Sequence, residues 1–260
     1  MESYKWIEFE IEDGVGKITL NRPDVLNSFN KKMGKEAQDA LATCTEDSNI
    51  RAVYITGAGK AFCAGQDLEE AIDPNNAIAD IVRGTYNPII RAIRSIEKPV
   101  VCAVNGVAAG AGANITFACD ITFAGERASF IQSFSNIGLV PDSGGTFFLP
   151  RLVGIQKATA MAMLAEKIRA NQAESMGLIY KCCPDDELQS IAFGIAKKLA
   201  AMPTKGLGLT KKAFNQGMDN DLQTQLELEA QLQEIAGNSN DYKEGVAAFL
   251  EKRKPNFTGE

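Results

Sequence analysis

Two apolar runs constrain the fold of this chain more than any other feature. "RAVYITG" (51–57) and "KPVVCAVNG" (98–106) read as buried strands, and both empty into small-residue loops, "AGKAFCAGQDL" and "VAAGAGAN". A helical pattern follows each loop. A strand that ends in a glycine turn and feeds a helix, used twice, is the signature of an α/β architecture, with backbone amides exposed at the strand ends. Around this core, Ile7, Phe9 and Ile11 alternate with glutamates, and Asp13-Gly14 leads into "VGKITL", which predicts a β-hairpin. "NRPDVLNSFN" reads as a loop rich in turn and cap residues. Met33, Ala37, Leu41 and Cys44 share one helical face, and 78–96 is helical by period. "DITFAG" and "ASFIQ" add two strands. Beyond about Ile155 the pattern turns helical: 155–164, 171–176, 187–201, 209–217, 222–235 and 242–252. We divide the chain into a core over 1–200 and a helical C-terminal region over 201–260. The apolar stripe Leu222, Leu226 and Leu232 in that region predicts packing against another subunit.

Composition narrows the chemistry. The chain has 260 residues, 45% of them hydrophobic, enough for a full core. Its net charge of −6, with no dense Lys/Arg block, argues against nucleic acid as the main ligand. No apolar run approaches the ~20 residues that cross a bilayer, and the opening "MESYKWIEFEIEDG" is unlike a signal peptide, so we expect a cytoplasmic protein. The six cysteines (44, 63, 102, 119, 182, 183) lack metal-binding spacing and read as reduced packing residues. There is no histidine, so proton transfer near neutral pH falls to another group, usually a carboxylate tuned by its surroundings.

Asp142, in "IGLVPDSGGTFFLPR" (137–151), is the candidate carboxylate. Asp before "SGGT" is also a natural helix N-cap, and its apolar flanks (Ile137, Leu139, Val140, Phe147, Phe148) could equally desolvate it into a base, so both roles stay open here. The loops at Gln66 and at 105–114 could be plain connections. Together they offer two backbone donors from separate strand ends, which is what a developing oxyanion needs. Phe249, Lys252, Arg253 and Lys254 form a basic C-terminal cluster, explained by the helix dipole or by an anionic ligand.

These segments in this order, with "ITLNRPDVLNSFN", "ACDITFA" and "EGVAAFLEKRKPNF", resemble the crotonase, or enoyl-CoA hydratase/isomerase, superfamily over essentially the whole chain. The resemblance implies a spiral of ββα units, a helical oligomerisation region, and homo-trimers or hexamers. It implies an acyl-CoA substrate, with CoA as part of the substrate and no other cofactor or metal. Carried over by position, the thioester oxygen would sit between the N–H groups of Gln66 and Ala111. Ala64, Asp67, Phe249 and Lys252 would hold CoA, and Asn114 and Phe134 would face the acyl group. Hydratases of the family carry glutamates at those last two positions, so hydration is not expected. The motifs "FCAGQDL", "NGVAAGAGA", "GLVPDSGGT" and the terminal "FTG" are most similar to isomerases that convert a phenylacetyl-CoA ring 1,2-epoxide to an oxepin, with Asp142 as proton shuttle. An aliphatic Δ3,Δ2-enoyl-CoA isomerase and an idle acyl-CoA-binding member are the alternatives.

Overall fold

A computed structural model describes residues 4–72 and 77–260; residues 1–3, part of the stretch read as lacking a leader, lie outside it. The predicted hairpin is β1 (Ile7–Glu12) and β2 (Val15–Leu20), joined by Asp13 and Gly14, both at positive φ. That backbone twist matches a two-residue antiparallel turn, for which Asp-Gly is suited. The following strands are β3 (Ala52–Gly57), β4 (Ala61–Cys63), β5 (Val100–Val104), β6 (Val107–Ala109), β7 (Ile121–Gly125), β8 (Ser129–Ile131), β9 (Ile168–Arg169) and β10 (Lys181–Cys183).

Long and short strands sort into two sheets. One has the order β1-β2-β3-β5-β7-β10, parallel apart from the hairpin; the other has the order β4-β6-β8-β9, parallel apart from β8–β9. The pairs β3–β4, β5–β6 and β7–β8 each send one strand to each sheet before a helix, so the spiral of ββα units inferred from family resemblance is present. Gly106 marks the sharp corner between β5 and β6, where a Cβ would overlap the Lys60 carbonyl oxygen. Every residue of β3 and β5 is buried, which is why both read as unbroken apolar runs.

The helices are α1 (Lys31–Glu46), α2 (Leu68–Ala71), α3 (Ile78–Ile81), α4 (Asn87–Ser95), α5 (Ala111–Ala118), α6 (Gly145–Val153), α7 (Ile155–Leu164), α8 (Ala170–Ser175), α9 (Leu188–Ala200), α10 (Thr204–Gly217), α11 (Leu222–Gly237) and α12 (Asn240–Glu251). The pattern read as one helix over 78–96 is interrupted: a π-helical turn, Val82–Tyr86, joins α3 to α4. Helix α10 is fastened to the core by Asp120, whose carboxylate pairs with Lys211 and Arg94, each at 2.8 Å. The stripe expected on α11 is only partly free. Leu222 and Leu226 are exposed, whereas Leu232 is buried within the chain. Cys44, Cys63, Cys102, Cys119 and Cys183 are buried free thiols, and burial raises Cys44 and Cys63 to about 12, as expected of packing residues. Among the described residues no helix is long and apolar enough to cross a membrane.

Candidate active site

The site lies beyond the carboxyl ends of β4, β6 and β8, three neighbouring parallel strands, where open α/β sheets generally place their ligands. A cavity of about 550 Å³ opens there. The loop after β4 lines it with Ala64, Gly65, Gln66 and Asp67; the turn after β6 adds Gly110 and Ala111; the segment after β8 adds Ser133, Phe134 and Leu139.

The two donor loops are held close together by their glycines. A Cβ on Gly65 would stand 3.0 Å from the Ala109 carbonyl oxygen, and one on Gly112 would stand 2.5 Å from the Cys63 carbonyl oxygen. Gly110 has φ +52, and a Cβ there would lie 3.3 Å from the Ser133 hydroxyl. The loop after β2 braces the same region: Phe29 N–H donates to the Gly65 carbonyl (2.7 Å) and Asp67 N–H to the Phe29 carbonyl (2.8 Å). In that parallel bridge between Phe29 and Gln66, the Gln66 N–H faces away from Phe29. Ala111 opens α5, with no side-chain cap at Gly110. Among the described residues neither N–H has an acceptor, and both residues line the cavity. Two free amides, one at a helix N-terminus, make a local positive field suited to an oxyanion.

Asp142 follows the extended stretch after Leu139. It is not the cap of α6: that position is Gly144, and no side chain accepts from the helix amides. Ser143 and Gly144 both have positive φ, and this double turn leaves the Asp142 carbonyl, rather than its carboxylate, to accept the Gly145 N–H (2.8 Å). The carboxylate accepts from the Ser143 hydroxyl at 2.8 Å and pairs with no cation among the described residues. Burial raises its pKa above the ordinary carboxylate range, while the bonds from Ser143 and its own amide pull the other way without cancelling the shift.

Asn114 requires a correction. It was expected to face the acyl group, yet it is fully buried and does not line the cavity. Its Nδ2 donates to the Asp142 carbonyl (2.8 Å), and its Oδ1 accepts from Gln132 Nε2 (2.8 Å). The amide fills the space where Gly145 would carry a Cβ. Asn114 thus clamps the Asp142 turn to α5, the helix that begins with a free N–H. Phe134, by contrast, lines the cavity as an apolar wall. Ala64 and Asp67 also line it, and Asp67 is paired with Arg22 at 2.8 Å. Phe249 and Lys252 are exposed at the end of α12, and the single chain does not bring them to this cavity; Phe249 borders a separate groove with Tyr242 and Val246. Sequence reasoning missed Arg22, Val25 and Ser28, which the loop after β2 brings to the cavity.

The family described as enoyl-CoA hydratase/isomerase matches residues 10–260. The chain belongs to this family. As an enoyl-CoA hydratase/isomerase family member it is 46% identical over 259 residues, 98% of this chain and 99% of the other, to the 1,2-epoxyphenylacetyl-CoA isomerase of Escherichia coli K12. It is 37% identical over 264 residues, covering 98% and 99% of the two chains, to the trans-2-decenoyl-[acyl-carrier-protein] isomerase of Streptococcus mutans. The crystal structure of enoyl-CoA hydratase from Bacillus anthracis superposes with a TM-score of 0.94 at 35% identity, covering 98% of this chain and all of that one. The family fold accounts for the paired sheets, and acyl-CoA hydratase/isomerase chemistry accounts for two free amides at one cavity; Asp142, three residues beyond Leu139, is not itself among the residues that line it.

Proposed function

We propose that this family member is an isomerase that converts ring 1,2-epoxyphenylacetyl-CoA to oxepin-CoA through a proton shuttle at Asp142. The observation that carries the reading is the Asp142 carboxylate itself. It pairs with no cation among the described residues and its pKa is raised by burial, while the main-chain carbonyl of the same residue is tied through Asn114 to the helix whose first amide is free. Similarity to the Escherichia coli isomerase supports the same substrate.

The reaction follows from this arrangement. The thioester oxygen accepts from the Gln66 and Ala111 N–H groups, which lowers the cost of charge building there as the α-carbon loses its proton. Asp142 takes that proton. The ring bond shared with the epoxide opens to a seven-membered ring, and an exocyclic double bond forms in conjugation with the thioester. Asp142 then returns the proton to a ring carbon, so the product is an isomer and the base is regenerated. Phe134 keeps water from the intermediate. A Δ3-to-Δ2 double-bond shift needs the same steps, and similarity to the decenoyl isomerase supports it as a second activity. Ala64 and Asp67 contribute to holding CoA, and a neighbouring subunit of a trimer or hexamer supplies Phe249 and Lys252. Incubation with the ring epoxide and with 3-enoyl-CoA, with products identified by mass spectrometry and NMR, tests the reading. Recovery of unchanged epoxide would refute the proposed substrate.

A further inference from the structure

Tyr86 ends the π-helical turn between α3 and α4. Its ring is fully buried and packs edge-on against Phe29, centroid to centroid 6.1 Å, the residue bridged to Gln66. Its hydroxyl is buried and has no hydrogen-bond partner among the described residues. Folded proteins rarely leave a phenol hydroxyl in that condition, and single π turns inside helices are concentrated at functional sites. Burial, reinforced by the carboxylates of Asp142, Glu70 and Asp67, holds its pKa far above the ordinary tyrosine value, so it stays protonated. The hydroxyl is therefore a standing donor, on a ring that lies against Phe29 beside Gln66; the residue leads into α4, whose Ile90 Cγ2 would stand 3.6 Å from a Cβ on Gly144 in the Asp142 turn. A second donor, the Gln66 side-chain Nε2, is also buried without a partner.

Neither donor is needed for proton shuttling, since the two backbone amides hold the thioester oxygen and Asp142 moves the proton. With the thioester on Gln66 and Ala111, the isomerase reading requires the distal acyl group to reach Asp142. We propose that the Tyr86 hydroxyl determines specificity by donating to an oxygen atom on the distal part of the acyl group, so that the site selects oxygen-bearing acyl groups over hydrocarbon ones. This rests on the isomerase reading and adds to it a residue and a selection rule.

The test is Tyr86→Phe, with calorimetric binding of an unreactive pair, 2-hydroxyphenylacetyl-CoA and phenylacetyl-CoA. The wild type should prefer the hydroxylated ester about tenfold, and the Phe variant should bind the two within about twofold. Its melting temperature should be unchanged or higher, because the hydroxyl it loses has no partner. In turnover, Tyr86→Phe should slow the ring epoxide at least tenfold and leave 3-enoyl-CoA isomerisation within about twofold. A wild type without the preference, a variant that keeps it, or equal slowing of both substrates would overturn the proposal; equal slowing would place the hydroxyl on Asp142 instead. If the preference holds while the wild type fails to isomerise the epoxide, the selection rule stands and the proposed reaction falls.

Discussion

Asn114→Ala should damage the Asp142 turn without touching the cavity wall. The substitution removes two hydrogen bonds of 2.8 Å, one to the Asp142 carbonyl and one from Gln132. The Asp142 carbonyl keeps the Gly145 N–H, so that half of the loss is about 1 kcal/mol. The other half is larger. Gln132 is 1% exposed and its Oε1 already lacks a partner, so losing Asn114 would leave the whole amide unpaired, at about 1–3 kcal/mol. The expected loss is about 2–4 kcal/mol, read as a lower urea midpoint at fixed protein concentration. Released from its clamp, the Asp142 carboxylate should drift, and a misplacement near 1 Å costs about 100-fold in rate. A double-mutant cycle with Gln132→Ala isolates the pair, and the double variant should be less destabilised than the two singles summed. A midpoint within about 0.5 kcal/mol of wild type, with full activity, would refute the clamp.

Other outcomes follow from the same geometry. Activity should rise with pH through a value above the ordinary carboxylate range, because only ionised Asp142 is a base. Since folding raises that pKa, the folded state favours the protonated form, and stability should fall as pH rises from the ordinary carboxylate value through the raised one. Asp142→Asn abolishes this dependence and should be neutral to stabilising at pH 7, as a denaturation series across pH would show. Light scattering should find particles well above the 28.0 kDa chain mass, since Leu222, Leu226, Phe249 and Leu250 are exposed; monomers alone would oppose this. Lys252→Ala should weaken CoA-ester binding about two- to fivefold at low salt, and unchanged affinity would remove Lys252 from the site. Crotonyl-CoA hydration should be far slower than isomerisation of the best substrate, because Asn114 and Phe134 carry no carboxylate.

The architecture was legible where burial and turn chemistry leave a local mark. The runs at 51–57 and 98–106 are buried throughout β3 and β5, and Asp13-Gly14 has the positive φ values that its residues favour. The short strands β4, β6 and β9 left almost no signal, since two or three residues cannot establish a period. The candidate donors Gln66 and Ala111 were located through family likeness, with glycine-rich loops as weak local support. The cap reading of Asp142 failed because cap propensity is judged on residue type, whereas here two consecutive left-handed residues take the carboxylate off the helix axis. Asn114 was misplaced for a related reason: position along α5 fixes which residue is near the site, while the partners Gln132 and Asp142 fix which way its amide points. Tyr86 left no mark at all. A π turn inside an apolar helical pattern shifts the register by one residue, which the average period over 78–96 conceals.

The central claim is that Asp142 moves a proton between the α-carbon and a distal carbon of a bound thioester. NMR of phenylacetyl-CoA, an unreactive analogue, in deuterium oxide with wild type and Asp142→Asn measures that transfer directly. The account predicts solvent deuterium at the α-carbon with the wild type, and exchange slowed by at least about 100-fold in a variant that folds and binds the ester normally. Exchange at the wild-type rate in Asp142→Asn would contradict it.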